Sequence, residues 1–309
     1  MILCVTPNPA IDRTLHVKTL HAGEVHRADK ILAAAGGKGL NVARTINALG
    51  GTSLCLGLIG GHTGNLLEEL ADHEGLSSHW TRAKNETRTC IILVEDVKDA
   101  TVINDPGANV TAEECEIFVH DIWQQAEPHQ LVCISGSLPP GFSLDIFEAL
   151  LRGLVKKGKS VWVDTSGTAL KTALKLHGLN IKVNAAELSD ALGMEISNGD
   201  QAIHVSKQLL KDGISSAVVT LGKDGAVLTT SSGTWIAYPP VIKVVSSVGS
   251  GDAFLGGLAF ALDTGHPPDV SLRHGIAAGA ANALNFGGGR VNRNEFEKMF
   301  KSVGTSAQL

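Results

Sequence analysis

Short apolar runs rich in β-branched residues recur along the chain and predict the strands of a buried sheet. Most are followed by a segment in which apolar positions return with the spacing of a helix. The predicted strands span residues 2–6, 53–59, 130–135, 160–164, 181–183 and 217–220. The predicted helices span residues 40–49, 64–73, 111–126, 144–157, 201–211, 251–262 and 270–284. This alternation predicts an α/β fold with a mainly parallel central sheet covered by helices on both faces.

Two stretches, residues 12–32 and 88–104, interrupt this order. Both show the polar alternation of strands, with no helix between consecutive members. They predict a small antiparallel sheet outside the main one, which could close over a site as a lid. The alternative is that they extend the edge of the main sheet. The chain has no low-complexity linker and no internal repeat, so residues 1–309 are expected to form one domain with a lid.

The composition limits the classes of molecule that the chain is expected to bind. The chain has 309 residues, 43% of them hydrophobic, and a net charge of −5. Proteins that bind a nucleic acid or an anionic membrane usually have a basic surface, so neither partner is expected. The expected partner is a small molecule. No apolar run reaches the roughly 18 residues of a membrane helix. The five cysteines are odd in number and lack a Cys-x-x-Cys pair, so neither a disulfide framework nor a zinc site is expected. Free cysteines favour a reducing, cytoplasmic location.

Glycines form two groups that carry candidate chemistry. The first, residues 35–43, contains Gly36, Gly37, Lys38 and Gly39 at the start of a predicted helix. Exposed amides beside a lysine can bind an anion or sugar hydroxyls. The segment is not a Walker A loop, because Gly39 rather than Ser or Thr follows the lysine. A plain tight turn is the alternative.

The second group, Gly249, Ser250, Gly251 and Asp252, also opens a helix. Converging amides beside a carboxylate suit phosphoryl transfer, which needs donors for phosphate charge and a base for the attacking hydroxyl. The alternative is that Asp252 only stabilises a helix N-terminus. A dinucleotide fingerprint is excluded, because Phe254 occupies the place of its third glycine.

Together these segments resemble the signatures of the ribokinase-like, phosphofructokinase B family of sugar kinases. Residues 6–12, 135–141, 184–187 and 220–225 are similar to further family motifs and occur in the family's order. The resemblance covers nearly the whole chain. It is strongest to the branch of 1-phosphofructokinases, tagatose-6-phosphate kinases and the minor bacterial 6-phosphofructokinases. It implies a ribokinase-like three-layer α/β/α fold with a small β-sheet lid.

The resemblance assigns roles to individual residues. Asp252 would be the general base, next to an anion hole made by the amides of Gly249, Ser250 and Gly251. The residues implied for sugar hydroxyls are Asp12, Gly37, Lys38 and Asn41. Those implied for the phosphate already on the substrate are Arg27, Arg88 and Ser137. Those implied for ATP are Lys182, Asn184, Thr220, Gly222, Gly225 and Asn282, with Glu187 at Mg²⁺ and its waters. Glu187 and Arg88 have an ordinary alternative, an exposed surface charge.

The function implied is the transfer of the γ-phosphoryl group of ATP to a ketohexose phosphate, with Mg²⁺. Fructose 1-phosphate or fructose 6-phosphate, giving fructose 1,6-bisphosphate, ranks before tagatose 6-phosphate. A kinase for an unphosphorylated sugar or nucleoside and a sugar-phosphate-binding regulator are the alternatives. A homodimer through the lid is expected. The chain departs from the family pattern in Ser250, where alanine is usual, and in His26, where many relatives have asparagine.

Overall fold

The computed structural model describes residues 1–96 and 100–308. The strands of the described residues are β1 Ile2–Thr6, β2 Ala10–Val17, β3 Lys30–Gly36, β4 Ser53–Gly60, β5 Ser78–Ala83, β6 Arg88–Glu95, β7 Thr101–Ile103, β8 Leu131–Ser135, β9 Ser160–Asp164, β10 Asn180–Asn184, β11 Ser216–Thr220, β12 Ala226–Thr230, β13 Gly233–Tyr238 and β14 Gly304–Gln308. The helices are α1 Lys38–Ala48, α2 Gly61–His73, α3 Ala112–Gln125, α4 Leu144–Lys156, α5 Gly167–Ala173, α6 Ala185–Leu192, α7 Gly199–Lys211, α8 Ser250–Asp263, α9 Pro268–Ala283 and α10 Arg293–Ser302.

The large sheet has ten strands in the order β14-β13-β12-β11-β10-β9-β8-β1-β4-β5. The strands from β5 to β11 are parallel, and β12, β13 and β14 add an antiparallel edge. Helices cover both faces, and each face has its own apolar core. One core contains Phe118 of α3 and Phe147 of α4, and the other contains Leu40 of α1 and Leu255 of α8. The predicted three-layer α/β/α arrangement is confirmed.

The predicted elements of the large sheet agree with the structure to within three residues at their ends. The pattern missed elements of three kinds: the antiparallel edge, the outer strand β5, and the helices α5, α6 and α10. The antiparallel edge lacks a β-α alternation of its own, and β5, which follows α2, has a mainly polar sequence. The helices α5 and α6 are only seven and eight residues long, too short for a periodic signal to stand out.

The small sheet is separate from the large one, with the strand order β3-β2-β6-β7. The prediction that it is antiparallel is wrong in its centre, where β2 and β6 run parallel, whereas β3 and β7 pair antiparallel at its edges. Between β3 and β6 the chain forms α1, β4, α2 and β5. A connection of this length allows β6 to lie beside β2 and run in the same direction. Residues 97–99 of the predicted segment lie outside the described residues.

Close helix contacts set the position of α8. A Cβ atom at Gly256 would lie 2.7 Å from the Cβ of Thr45 on α1, and one at Gly257 would lie 2.5 Å from the His274 carbonyl on α9. Both distances are shorter than real carbon contacts allow, so any side chain would push α8 away from its neighbours. Within the described residues, no helix has the length and apolar character needed to cross a bilayer.

Candidate functional site

Most of the predicted site residues lie near the carboxyl ends of the parallel strands. Asp164, Asn184 and Thr220 are the last residues of β9, β10 and β11. The helices α1 and α8 begin at the same edge with Lys38 and Ser250. Open α/β sheets place ligands at this edge, because the loops there diverge and the helix N-termini point into the gap.

Asp252 lies in the first turn of α8 and is buried. Asn41 of α1 donates a hydrogen bond from its Nδ2 to Asp252 Oδ2 at 2.8 Å. Burial raises the pKa of Asp252 to about 6, with Asp164 acting in the same direction, whereas Lys38 and Lys182 oppose the rise. A carboxylate with a pKa in this range can accept a proton at neutral pH and is a stronger base than an exposed aspartate.

Two lysines and two further carboxyl groups surround Asp252. Lys38 Nζ lies 2.8 Å from Asp164 Oδ1 and 3.4 Å from Glu187 Oε1, and Lys182 Nζ lies 2.6 Å from Asp164 Oδ2. Burial would lower the pKa of Lys38, but the carboxylates of Asp164, Asp252 and Glu187 raise it well above its usual range. Burial opposes ionisation of Asp164, yet the two lysines hold its pKa below the ordinary value. Lys38 therefore stays charged, as phosphate binding requires.

Asp12 lies on β2 against the glycines that lead into α1. A Cβ atom at Gly36 would lie 2.2 Å from the carboxyl carbon of Asp12, so only glycine lets the carboxyl group approach the chain. Burial raises the pKa of Asp12 to about 6, and Arg44, Arg88 and the amide of Gly37 oppose that rise. A partly buried carboxyl group beside a backbone amide is suited to accept hydrogen bonds from sugar hydroxyls.

The loop before α8 has a conformation that requires glycine. Gly249 has φ 78°, and a Cβ atom there would lie 2.5 Å from the Cα of Gly288. At Gly251 a Cβ atom would lie 2.9 Å from Lys182 Nζ. The amide of Ser250 donates to the Ser247 carbonyl at 3.1 Å, so this predicted member of the anion hole is engaged in the turn. Gly249 is the N-cap residue of α8, and it has no side chain that could accept hydrogen bonds from the first amides of the helix. The amides of Gly251 and Asp252 therefore have no side-chain cap.

A cavity of about 610 Å³ adjoins this loop. Thr220, Gly222 and Gly225 line it, as predicted for ATP, and Gly251 lines the end nearest Asp252. Its remaining walls are mainly apolar, with the residues Pro239, Pro240, Val241, Ile242, Val244, Phe254, Ile276, Ala280 and Ala283 among them. An apolar slot that ends at helix amides and a lysine suits a nucleotide, whose base is flat and whose phosphates are charged.

Asn282 does not line this cavity. It is fully buried, and its Nδ2 donates to the Val248 carbonyl at 2.9 Å and to Ser250 Oγ at 3.1 Å. Its Oδ1 accepts from the amide of Arg290. The structure therefore places Asn282 behind the glycine loop, which it holds in place, and not beside the cavity predicted for adenine.

The residues predicted for the substrate phosphate are brought together only in part. Arg88 donates from Nη2 to the Asn8 carbonyl at 2.9 Å, and Asn8 Nδ2 donates to Ser137 Oγ at 3.2 Å. Arg88 Nε is buried and has no hydrogen-bond partner among the described residues, so a donor is available there. Arg27 is exposed in the connection between β2 and β3, and no described contact joins it to the other two.

Glu187 forms a capping box with Asn184 at the start of α6. Its amide donates to Asn184 Oδ1 at 2.8 Å, and its Oε2 accepts from the amide of Asn184 at 3.1 Å. The described residues contain no group of three or more side chains able to hold a metal alone. This donor set fits Mg²⁺, which typically keeps several waters and uses one or two carboxylates together with substrate phosphates.

Sequence reasoning missed Arg44 and Glu74. Arg44 is nearly buried, and its Nε donates to Glu74 Oε2 at 2.6 Å. In the sequence both look like surface charges of amphipathic helices. A weak signal is the position of Arg44, three residues after Asn41, which places the two side chains on one face of α1.

Comparisons with known proteins agree with this geometry. A 1-phosphofructokinase of Bacillus subtilis is 30% identical over 285 residues, which cover 92% of this chain and 93% of that protein. The structure of phosphofructokinase-2 from Escherichia coli in complex with substrates and products superposes with a TM-score of 0.91 at 29% identity, covering 97% of this chain and 98% of that one.

The ribokinase of Thermotoga maritima shares the fold, with a TM-score of 0.76 at 23% identity over 97% of this chain and 99% of that one. The fold is therefore ribokinase-like. The family model of pfkB family carbohydrate kinases matches residues 5–295. Since this match covers most of the chain, and the site residues stand at the strand ends where the fold places ligands, the chain belongs to the pfkB family of carbohydrate kinases.

Proposed function

We propose that this enzyme transfers the γ-phosphoryl group of ATP to a fructose phosphate, giving ADP and fructose 1,6-bisphosphate. The observation that carries the proposal is the position of Asp252. This buried carboxyl group lies between the nucleotide cavity, which Gly251 lines, and Asn41 on the sugar side. We rank fructose 1-phosphate first, because the Bacillus subtilis relative is named a 1-phosphofructokinase.

In the proposed reaction the Asp252 carboxylate takes the proton of the acceptor hydroxyl. The hydroxyl oxygen then forms a bond to the γ-phosphorus of ATP, while the bond from that phosphorus to the oxygen bridging it to ADP breaks. Charge on the transferred group is stabilised by Lys38, Lys182 and the amides at the start of α8. Phosphoryl transfer depends on such positioning and charge more than on covalent chemistry by the protein.

Mg²⁺ would be held at Glu187 and the ATP phosphates, where it neutralises phosphate charge. Asp164 is close, but it is committed to Lys38 and Lys182. Asn184 orients Glu187 through the capping box. The protein's own contribution is to keep the Glu187 carboxylate fixed at the end of β10.

The acceptor's phosphate would bind at Arg88, with Ser137 and Asn8 beside it. Arg88 comes from β6 of the small sheet, and Ser137 follows β8 of the large one. Arginine offers a planar fork that matches phosphate oxygens. No described contact joins Arg27 to this group. We expect Arg27 to reach the phosphate only if the loop between β2 and β3 moves, or if a second copy of the chain supplies it.

The small sheet would act as the lid of the site. Asp12 and Cys90 are register partners on β2 and β6, so Asp12, Cys90 and Arg88 share one face. On the other face lie Leu15, Ile31, Ile91, Leu93 and Ile103. Ile31 is 56% exposed and Ile103 59%. We expect a second copy of the chain to cover this apolar face, which makes the enzyme a homodimer.

The direct test measures ADP release with Mg·ATP across phosphorylated and free hexoses. Fructose 1-phosphate, fructose 6-phosphate and tagatose 6-phosphate should be turned over far better than fructose or ribose. Faster turnover of a free sugar or a nucleoside would assign the chain to the simpler sugar kinases. A sugar-phosphate-binding regulator would bind these compounds without releasing ADP.

A further inference from the structure

Arg44 is a nearly buried arginine of α1 that the proposed reaction does not use directly. Its guanidinium group donates to four groups from different parts of the chain. They are Glu74 Oε2 at 2.6 Å, Asn41 Oδ1 at 2.7 Å, the Ala35 carbonyl at 2.7 Å and the Gly288 carbonyl at 3.0 Å. A buried arginine with this many partners is held in one orientation.

One of these bonds decides which end of the Asn41 side chain faces Asp252. An asparagine amide has an accepting oxygen and a donating NH₂ group, and the two orientations have almost the same shape. Arginine has donors only, so the end that faces Arg44 must be Oδ1. Nδ2 then faces Asp252 Oδ2 at 2.8 Å. In the reversed orientation the amide oxygen would face the carboxylate oxygen, and the two would repel each other.

Glu74 holds Arg44 from the side opposite Asn41. It follows α2 directly, and its carboxylate is also 3.5 Å from Arg290 Nη2 and accepts from the Ala35 amide at 3.3 Å. The carboxylate therefore compensates the buried guanidinium charge and fixes its position relative to α1. Without it, the hydrogen bonds of Arg44 would go only to carbonyl and amide oxygens, with Asp12 as the remaining carboxyl group that interacts with its charge.

We propose that Arg44, held by Glu74, is a positioning residue for phosphoryl transfer, which orients the Asn41 amide so that its NH₂ group donates to Asp252. This inference rests on the proposed function, in which Asp252 accepts the proton. Arg44 touches neither the acceptor nor ATP. Its effect on Asp252 runs through Asn41, whereas its charge also lowers the pKa of Asp12 on the sugar side.

The test compares Arg44→Met with the wild-type enzyme over a range of pH. The groups that act on Asp252 are Lys38, Asp164, Lys182 and Asn41, and the Asn41 hydrogen bond lowers its pKa. Losing a directed donor should move the acid limb of kcat up by about 0.5–1 pH unit, which lowers kcat by up to about twofold at pH 7 and by about three- to eightfold at pH 5.5. The KM for ATP should stay unchanged. Arg44→Lys, which keeps one donor, should restore part of both effects.

An Asn41→Ala background separates positioning from general damage. If Arg44 acts on Asp252 through Asn41, adding Arg44→Met to Asn41→Ala raises the pKa of Asp252 no further, and any remaining shift of the acid limb comes from Asp12, whose pKa Arg44 also lowers. Arg152→Met is the matched control, because Arg152 makes an exposed ion pair with Glu148 at 2.8 Å on α4, and it should leave the profile unchanged. If Arg44→Met does not fold, Glu74→Gln and Arg44→Lys give the same comparison.

Two results would overturn the inference: a wild-type acid limb in a folded Arg44→Met protein, or the same rise in the pKa of Asp252 when Arg44→Met is added to Asn41→Ala. The carboxyl pKa of Asp252, measured by NMR with ¹³C-labelled aspartate in both proteins, does not depend on activity. It should be higher in Arg44→Met. A wild-type enzyme that phosphorylates none of the hexose phosphates would contradict the proposed function, while this NMR comparison would still decide the role of Arg44.

Discussion

Asp252 carries the strongest chemical signal among the individual residues. Burial raises its pKa from 3.8 to about 6. We therefore expect kcat/KM to fall with decreasing pH below about 6, because protonated Asp252 cannot accept the hydroxyl proton. Asp252→Asn should lower kcat by roughly 100-fold or more while ATP binding is kept. Near-normal turnover in the folded variant would reduce Asp252 to a residue that stabilises a helix start.

The same shift predicts how stability depends on pH. A carboxyl group whose pKa is raised in the folded state stabilises the protein when it is protonated, and that contribution is lost as the pH rises from about 4 through about 6. Asp252→Asn removes the buried charge. At pH 8 the free energy of unfolding of the variant, measured by denaturant titration, should therefore exceed that of the wild type by about 1–3 kcal/mol. The difference should shrink towards pH 4.

The role of a residue could be predicted from the sequence where neighbouring positions form a recognisable motif. The glycine groups around Lys38 and Asp252 were readable because amides, glycines and an acid occur within a few consecutive positions. Arg44 was not readable, because its partners Glu74, Ala35 and Gly288 come from three other parts of the chain. Asn282 was assigned to the nucleotide, and only the structure shows that its side chain holds the glycine loop.

At the scale of elements, the capping box of α6 places Glu187 beside Lys38. Glu187→Gln keeps the hydrogen bonds that an amide oxygen can accept but removes the charge. The Mg²⁺ concentration needed for half the maximal rate should rise roughly tenfold, a change typical for a weakened metal site. Activity in a titration from metal-free conditions measures it.

Glu114→Gln is a matched control for this change. Glu114 forms the same capping box with Thr111 at the start of α3, away from Lys38. That variant should keep the wild-type dependence on Mg²⁺. An unchanged dependence in Glu187→Gln as well would leave Glu187 with a structural role only.

The elements predicted best have a strong local pattern. The strands of the parallel sheet are short, continuously buried apolar runs, and the helices between them show apolar positions with a period of 3.6. The direction of β6 was predicted wrongly, because polar alternation gives a strand but not its partner. Pairing with β2 depends on the path of the 70 residues between the two strands, and no local pattern records that path.

At the scale of the whole molecule, the outward face of the small sheet is an apolar surface that we expect a second copy of the chain to cover. Ile103→Glu places a charge on that face, where Ile103 pairs with Ile91. We expect the wild-type enzyme to sediment as a dimer and the variant to shift towards the monomer, since an unpaired buried charge is costly. Ile117→Glu, at a similarly exposed isoleucine on α3, should remain dimeric. A monomeric wild-type enzyme would contradict the dimer.

The central claim, that the enzyme recognises a phosphorylated sugar, is tested most directly by the ratio of kcat/KM for fructose 1-phosphate to that for fructose. Arg88→Ala should lower this ratio by roughly 10- to 150-fold, the equivalent of about 1.5–3 kcal/mol for a charged hydrogen bond to phosphate. Arg82→Ala, which removes an exposed ion pair with Glu68, should leave the ratio unchanged. An Arg88→Ala variant that weakens both sugars equally, or a wild-type ratio below one, would contradict the account.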